Sequence, residues 1–302
     1  MENYWWFFAL MTSFVCSIFA YSNQIFKMHG LLLMLYRGLL VAFISIPFVL
    51  LRKPISEPYF YVFCFLQGLV VAFNDNRLFR AAKAFGAEVS SIFQPLAISL
   101  IFIMWLILTP SLFFTYISEP LKFLGIILCL AGVIYSIISL RKAKVSKIAF
   151  MFLLPALFAL SVSDILNKMS MKYGKEDLIT AIIYYSFITG LVSGLCNLFF
   201  YIKKKQKISN VFKRKNFING ALLSIIITLT VILKNISMHL ASNPAYVSAI
   251  ILLYPLWIVF GNNAYSYFKA KKTGYKKVNF KIVSLLLSSI IALVLISNSF
   301  VK

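Results

Sequence analysis

Ten apolar stretches, each close to the ~20 residues that cross ~30 Å of hydrocarbon, leave this 302-residue chain little choice of fold. They run over residues 4–26, 31–51, 58–79, 88–108, 119–140, 148–170, 178–202, 217–239, 244–267 and 280–300. The segments between them are too short to hold a soluble domain. Long apolar runs without two-residue alternation exclude barrel strands, so helices must satisfy the backbone inside lipid. With 61% hydrophobic residues, the chain carries more apolar surface than a soluble domain of this size can bury. The expected fold class is an all-α membrane protein.

The stretches fall five to each half, and one motif recurs. Ala87-Glu88-Val89-Ser90-Ser91-Ile92 returns as Ala245-Tyr246-Val247-Ser248-Ala249-Ile250, an offset of 158 residues. Each copy runs into an apolar stretch interrupted by proline, at Pro95 and Pro255. An odd number of passes per copy turns the second copy upside down. The expectation is ten transmembrane helices as two inverted five-helix repeats, residues 1–144 and 145–302. That is the plan of a secondary transporter working by alternating access. The first stretch lacks a basic leader and a small-residue cleavage site, and reads as a retained helix. Trp5, Trp6, Tyr59 and Tyr61 read as interfacial anchors.

A net charge of +22 would point to nucleic acid in a soluble protein. Here the basic residues flank helix ends, at Arg141–Lys147, Lys203–Lys215 and Lys269–Lys281. They read as topology signals and contacts to anionic membrane lipids, with no nucleic-acid partner. Segments after odd-numbered stretches hold twenty-one Lys and Arg, against six after even-numbered stretches and at the C-terminus. Taken literally, both termini face away from the cytoplasm.

Charge at bilayer depth costs about 2.5–3.5 kcal/mol on insertion scales, so the eight carboxylates are informative. Glu2, Glu57, Glu119, Glu176 and Asp177 fall at the N-terminus, in loops or at helix starts. Asp75, Glu88 and Asp164 lie at or within the apolar layer. Asp164 is the main candidate for substrate contact. At about 3.6 residues per turn, Ser161, Asp164, Asn167 and Lys168 share one helix face. The competing reading is an intrahelical Asp164–Lys168 pair that lets both charges insert together. Asp75 follows Asn74, and Gln67 and Asn74, seven apart, share one stripe. Its plainer reading is a helix end reaching the headgroups, with Arg77 and Arg80 snorkelling. Glu88 suits the positive end of its helix and shares a face with Ser91 and Gln94.

Arg37 is the deepest base and needs a carboxylate partner or an anionic substrate group. Lys234, Asn235 and His239 share a face, with His239 a candidate proton relay. Tyr21, Tyr184, Tyr185, Tyr246 and Tyr254 are aromatic candidates for a cavity. Cys16, Cys64, Cys129 and Cys196 have neither metal nor redox spacing. Two histidines cannot build a His-rich metal site. No phosphate loop, nucleophile elbow or paired-carboxylate motif is present, so no catalysis and no cofactor are expected.

These motifs resemble the drug/metabolite transporter superfamily, in its ten-helix EamA-type branch. Arg37 followed by Pro47 resembles the family's arginine-bearing second helix. Phe79 to Pro95 resembles its polar-then-apolar segment, and Glu119, Gly125 and Gly132 resemble the acid and spaced glycines of its fifth helix. The tenth stretch departs, with neither glycine nor a preceding acid. Phe158–Lys168 with Tyr184-Tyr185-Ser186 is similar to the S-adenosylmethionine uptake transporters of obligate intracellular bacteria.

The resemblance implies a bacterial inner-membrane protein with both termini inside, against the charge count. It implies a small-molecule substrate such as S-adenosylmethionine or a similar amino-acid or nucleoside-type solute, moved by exchange or on a proton gradient. Export of amino acids or toxic metabolites is the alternative transport reading. A lipid flippase, a membrane enzyme or a channel are the rivals from other classes. Oligomeric state is left open by the sequence. The expected substrate-binding set is Asp164, Asn167, Lys168, Asp75, Asn74, Gln94, Arg37, Tyr185 and Tyr254.

Overall fold

Prolines open several helices, where the missing N–H has no intrahelical role. A computed structural model of the chain describes residues 4–85, 87–141, 146–175, 177–268 and 279–300, all helices and short connections. The helices are α1 (Trp5–Phe26), α2 (Gly30–Leu50), α3 (Pro58–Phe85), α4 (Ala87–Leu108), α5 (Pro110–Ser118) and α6 (Pro120–Arg141). They continue as α7 (Lys147–Tyr173), α8 (Leu178–Lys203), α9 (Arg214–Leu240), α10 (Pro244–Ile251), α11 (Tyr254–Phe268) and α12 (Phe280–Asn298). Side chains cap several of them: Ser146, Asp177, Asn243 and Asn279 accept first-turn amides of α7, α8, α10 and α12.

Eight helical segments are long and apolar enough to cross a membrane among the described residues, nine if the bent α4–α5 pair counts as one. The protein is an all-α, multi-pass membrane protein. Two of the ten expected spans fall short of that test. α3 is 28 residues long, but its second half carries Asp75, Arg77, Arg80 and Lys83. In α4 the side chains are described only from Gln94, and α5 turns 103° away from it. α5 falls between two of the apolar stretches, 88–108 and 119–140. Pro110 at its start gives it a helical first turn and ends its predecessor.

The two prolines of the repeat behave differently. α4 runs helically through Pro95, whereas α10 ends at Ile251 and α11 starts at Tyr254. Pro255 lacks an N–H and crowds the carbonyl four residues back, that of Ile251. The ninth span is therefore two half-helices.

α2 lies along α8, and α3 packs on α7 and α8. α1 lies against α9, α10 and α11, α6 against α12, and α4 against α6, α7 and α10. The α2–α8 crossing is a glycine seam. A Cβ on Gly38 would meet the Gly194 Cα at 2.4 Å, and one on Gly190 the Gly38 carbonyl oxygen at 2.9 Å. Gly190 and Gly194 are spaced four apart, which lets membrane helices touch main chain to main chain.

Burial is reversed relative to a soluble protein. Gln67, Asn74, Asp75, Asp164, Asn167, Lys168 and Asn235 are buried, while Phe43, Ile107, Leu128 and Leu295 are each more than 60% exposed. Trp5 departs from its expected anchor role. It is 2% exposed, donates to Asn298 at 2.9 Å and packs on Tyr246, because its indole N–H finds a partner inside the bundle. Tyr59 is exposed and Tyr61 is half-buried.

The ends of the bundle sort by charge. Lys27, after α1, lines a crevice with Lys215 of α9, and Lys204 lies within electrostatic reach of Arg80 and Lys83 of α3. These basic segments therefore share one end. At the other end, Trp5 meets Asn298, Lys122 meets the Phe300 ring, and Arg52 pairs with Asp177 at 3.5 Å. Residues 142–145 and 269–278, with most of two basic stretches, lie outside the described residues, as do Glu2, Glu176, Lys302 and the side chains of Glu88 and Ser91.

Candidate functional site

Charge inside an apolar bundle must be matched or solvated. The first match lies between α2 and α3. Arg37 Nη1 donates to Asp75 Oδ2 at 2.9 Å. Two residues singled out separately in the sequence are thus one ion pair. Asn74, beside it, is buried and its Oδ1 has no hydrogen-bond partner.

The second match is the centre of the site. Lys234 Nζ of α9 donates to Asp164 Oδ1 at 2.6 Å, and Ser248 Oγ of α10 donates to Asp164 Oδ2 at 2.5 Å. The expected intrahelical partner, Lys168, turns elsewhere. Its ammonium donates to the carbonyls of Met238, His239 and Ala241 at 2.6, 3.2 and 2.5 Å. Those oxygens end α9, where the helix leaves carbonyls without intrahelical donors and a cation suits the dipole. So Lys168 closes a neighbouring helix, and a cation from that same helix takes its place at Asp164.

Both pairs share an asymmetry. The Asp164 and Asp75 side chains are 6% and 12% accessible, those of Lys234 and Arg37 25% and 37%. In each pair the carboxylate is the more enclosed partner and the cation the more accessible one. Cys16 of α1 lies within electrostatic reach of both cations, with the Thr230 hydroxyl at its thiol. Among the described residues, three cations (Arg37, Lys168, Lys234) and two carboxylates occupy the interior.

Neutral polar contacts extend this layer. Asn167 Nδ2 donates to Tyr185 Oη at 2.9 Å, and Gln67 Nε2 to Ser163 Oγ at 2.8 Å. Tyr254 Oη donates to Gln94 Oε1 at 3.2 Å, bridging α11 and α4. Oxygens of Gln67 and Asn167, and both amide atoms of Asn235, are buried without a hydrogen-bond partner. Such groups hold binding capacity for a polar solute or for water.

All nine expected substrate-binding residues are among those described: Arg37 pairs with Asp75, Asp164 binds Lys234 and Ser248, Asn167 and Gln94 bond Tyr185 and Tyr254 respectively, Lys168 closes α9, and Asn74 is buried beside Asp75. The remaining tyrosines go elsewhere. Tyr246 is fully buried against Tyr116, Tyr184 bonds the Arg52 carbonyl, and Tyr21 is exposed. Two residues central to the geometry were missed as site members. Lys234 carried the same signal as Asp164, a charge deep in an apolar helix. Ser248 lies within the repeated hexapeptide.

Two crevices open away from this layer. One, of about 520 Å³, lies at the basic end; the other, about 330 Å³ and wholly apolar, lies between α1, α10 and α12. No family model matches the sequence, and no curated protein matches it either.

Proposed function

We propose that the chain is a secondary transporter that carries a small zwitterionic metabolite through the middle of the bundle. The observation that carries this reading is the Asp164–Lys234 pair, tied by Ser248 to a helix interrupted beside it. An interrupted helix next to a buried charge pair is how transporters commonly present polar groups at mid-depth.

The helix neighbours support two inverted five-helix units, residues 1–144 and 145–302. Let α1, α2, α3, α4 and α6 correspond to α7, α8, α9, α10–α11 and α12. Exchanging each helix for its counterpart turns the α3–α7 contact into α9–α1, α3–α8 into α9–α2, and α4–α7 into contacts of α10 and α11 with α1. The contacts α2–α8, α6–α12 and α4–α10 map onto themselves. Among the described residues α5 has no counterpart. This pattern agrees with the motif resemblance to EamA-type drug/metabolite transporters.

The proposed chemistry is an exchange of ion pairs. An amino or sulfonium group replaces the Lys234 ammonium at Asp164. The freed ammonium then takes the substrate's carboxylate, so a net-neutral zwitterion leaves the charge at depth unchanged, a solute with one further cationic group such as a sulfonium adds one positive charge, and no carboxylate is left bare. An amino-acid-type solute such as S-adenosylmethionine offers both charges, and Tyr185, Tyr254 and Gln94 supply the neutral polar wall. The basic end faces the cytoplasm of a bacterial cell and both termini face out, by the distribution of Lys and Arg.

Uptake of labelled S-adenosylmethionine into proteoliposomes, with a competition panel of unlabelled solutes, tests the reading. Saturable uptake and counterflow, inhibited by zwitterions more than by simple cations, is expected. No saturable uptake of any panel member would reject transport. Conductance without counterflow would indicate a channel.

A further inference from the structure

The basic end holds a built crevice that the transport reading does not use. It lies between the α1–α2 turn and the segment joining α8 to α9, and its volume is about 520 Å³. Lys27, His29 and Lys215 supply positive or protonatable groups, and Gln206, Asn216 and Asn219 supply amides. Leu32 and Tyr201 form part of the apolar wall.

The joining segment is held in place. Tyr201 donates to the Lys207 carbonyl at 3.1 Å, Tyr36 to the Val211 carbonyl, and Asn216 to the Asn210 carbonyl at 2.8 Å. The surroundings are cationic. Lys204 stands close enough to Arg80 and Lys83 that its ammonium is held below the usual lysine range, first by partial desolvation and then by these like charges. Of the described carboxylates, Glu57, Glu119 and Asp177 lie at the opposite end, and Asp75 and Asp164 are ion-paired in the interior.

We propose that this crevice binds a phosphate-bearing anion. Lys27 and Lys215 take the charge, and the side-chain amides donate to the remaining phosphate oxygens. A pocket of this volume accommodates a headgroup-sized ligand. Two sources share the chemistry: the headgroup of an anionic phospholipid and a soluble phosphate compound. The crevice opens where α1 and α8 end, the depth at which a headgroup sits, and Ile25 and Phe26 on its border suit the start of an acyl chain.

The test uses purified full-length protein in detergent. Native mass spectrometry would measure retention of added phosphatidylglycerol against phosphatidylcholine, and a parallel calorimetric titration would use inorganic phosphate and glycerol 3-phosphate. Wild type should prefer the anionic lipid, or one of the soluble phosphates, by about tenfold. Lys27→Gln/Lys215→Gln should lose that preference, and Lys27→Arg/Lys215→Arg should keep it. Lys83→Gln/Lys203→Gln, removing equal charge outside the crevice, should behave as wild type. Lipid retention alone identifies a headgroup, and phosphate binding alone a soluble ligand. Equal losses in both glutamine variants, at unchanged thermal midpoints, would reduce the effect to surface charge and overturn the site. No preference by wild type for any probe would do the same.

Discussion

Lys234 and Asp164 are 70 positions apart in sequence, and their side chains meet at 2.6 Å in the interior. This contact joins α7 to α9, and Ser248 extends it to α10. Removing Lys234 leaves the Asp164 carboxylate, 6% accessible, without its counter-charge, whereas the Lys234 ammonium, 25% accessible, keeps some solvation when Asp164 is neutralised. Lys234→Ala should therefore cost about 3 kcal/mol of stability. Asp164→Asn should keep an expressed, folded protein and abolish uptake. The double variant Asp164→Asn/Lys234→Gln should regain most of the stability lost in Lys234→Ala without regaining transport. Thermal unfolding in detergent and proteoliposome uptake measure the two effects. Wild-type uptake by Asp164→Asn would reduce the pair to a structural tie.

Lys168 should behave differently. Its ammonium serves the carbonyl end of α9, so Lys168→Met should lower stability by about 2 kcal/mol, the value of charged hydrogen bonds. KM for transported solute should stay unchanged in the folded fraction. A raised KM at unchanged stability would move Lys168 into the binding set.

The glycine seam predicts sharp position dependence. Gly38→Val or Gly194→Leu would drive side-chain atoms into backbone, and backbone cannot yield as a rotamer does. Both should cut folded yield, with a cost of about 3 kcal/mol or more. Gly261→Ala meets nothing within 4 Å and should be neutral or slightly stabilising, since alanine favours helix. Size-exclusion profiles of fluorescent fusions would compare them.

Asp177 gives a pH signature at the start of α8. The Thr180 hydroxyl, then the Thr180 amide and the nearby Arg52 charge, hold its carboxyl below the usual value of 3.8. A depressed folded value means the contribution is complete above 3.8 and lost as pH falls through the folded value. Wild type should lose thermal stability on acidification in that window. Asp177→Asn, which keeps an acceptor but not the charge, should lose less. Melting curves across acid pH check this, and parallel curves for the two proteins would refute it.

Orientation is open to direct measurement. A periplasm-active reporter fused after Lys302 should be active, and one inserted after Lys205 inactive, if the basic end is cytoplasmic. The reverse pattern would favour the orientation implied by the family resemblance.

Much of this architecture was legible because apolar runs of membrane length admit one kind of element. Segment boundaries held to within a few residues for α1, α2 and α7. α3 outran its expected end at residue 79 because its charges are satisfied in place: Asp75 by Arg37, and Arg77 by the Phe152 carbonyl and ring. Partners were less legible than candidates. Spacing along one helix offered Lys168 to Asp164, and only three-dimensional packing supplies a lysine from α9. Arg37 announced its need for a carboxylate, but not which one. The seam at Gly190 and Gly194 was present in the sequence as a four-residue spacing and went unread beside the stronger signal of charge.

The contact of α2 with α8 also limits how the molecule can move. Where main chain rests this closely on main chain, a shift of one helix along the other meets backbone rather than a rotamer that can yield. In an alternating-access cycle of the kind proposed, this line is the natural axle. Displacement then grows with distance from it, and the interrupted ninth span, which lies against α1 and α4, is free to swing farther than α2 or α8.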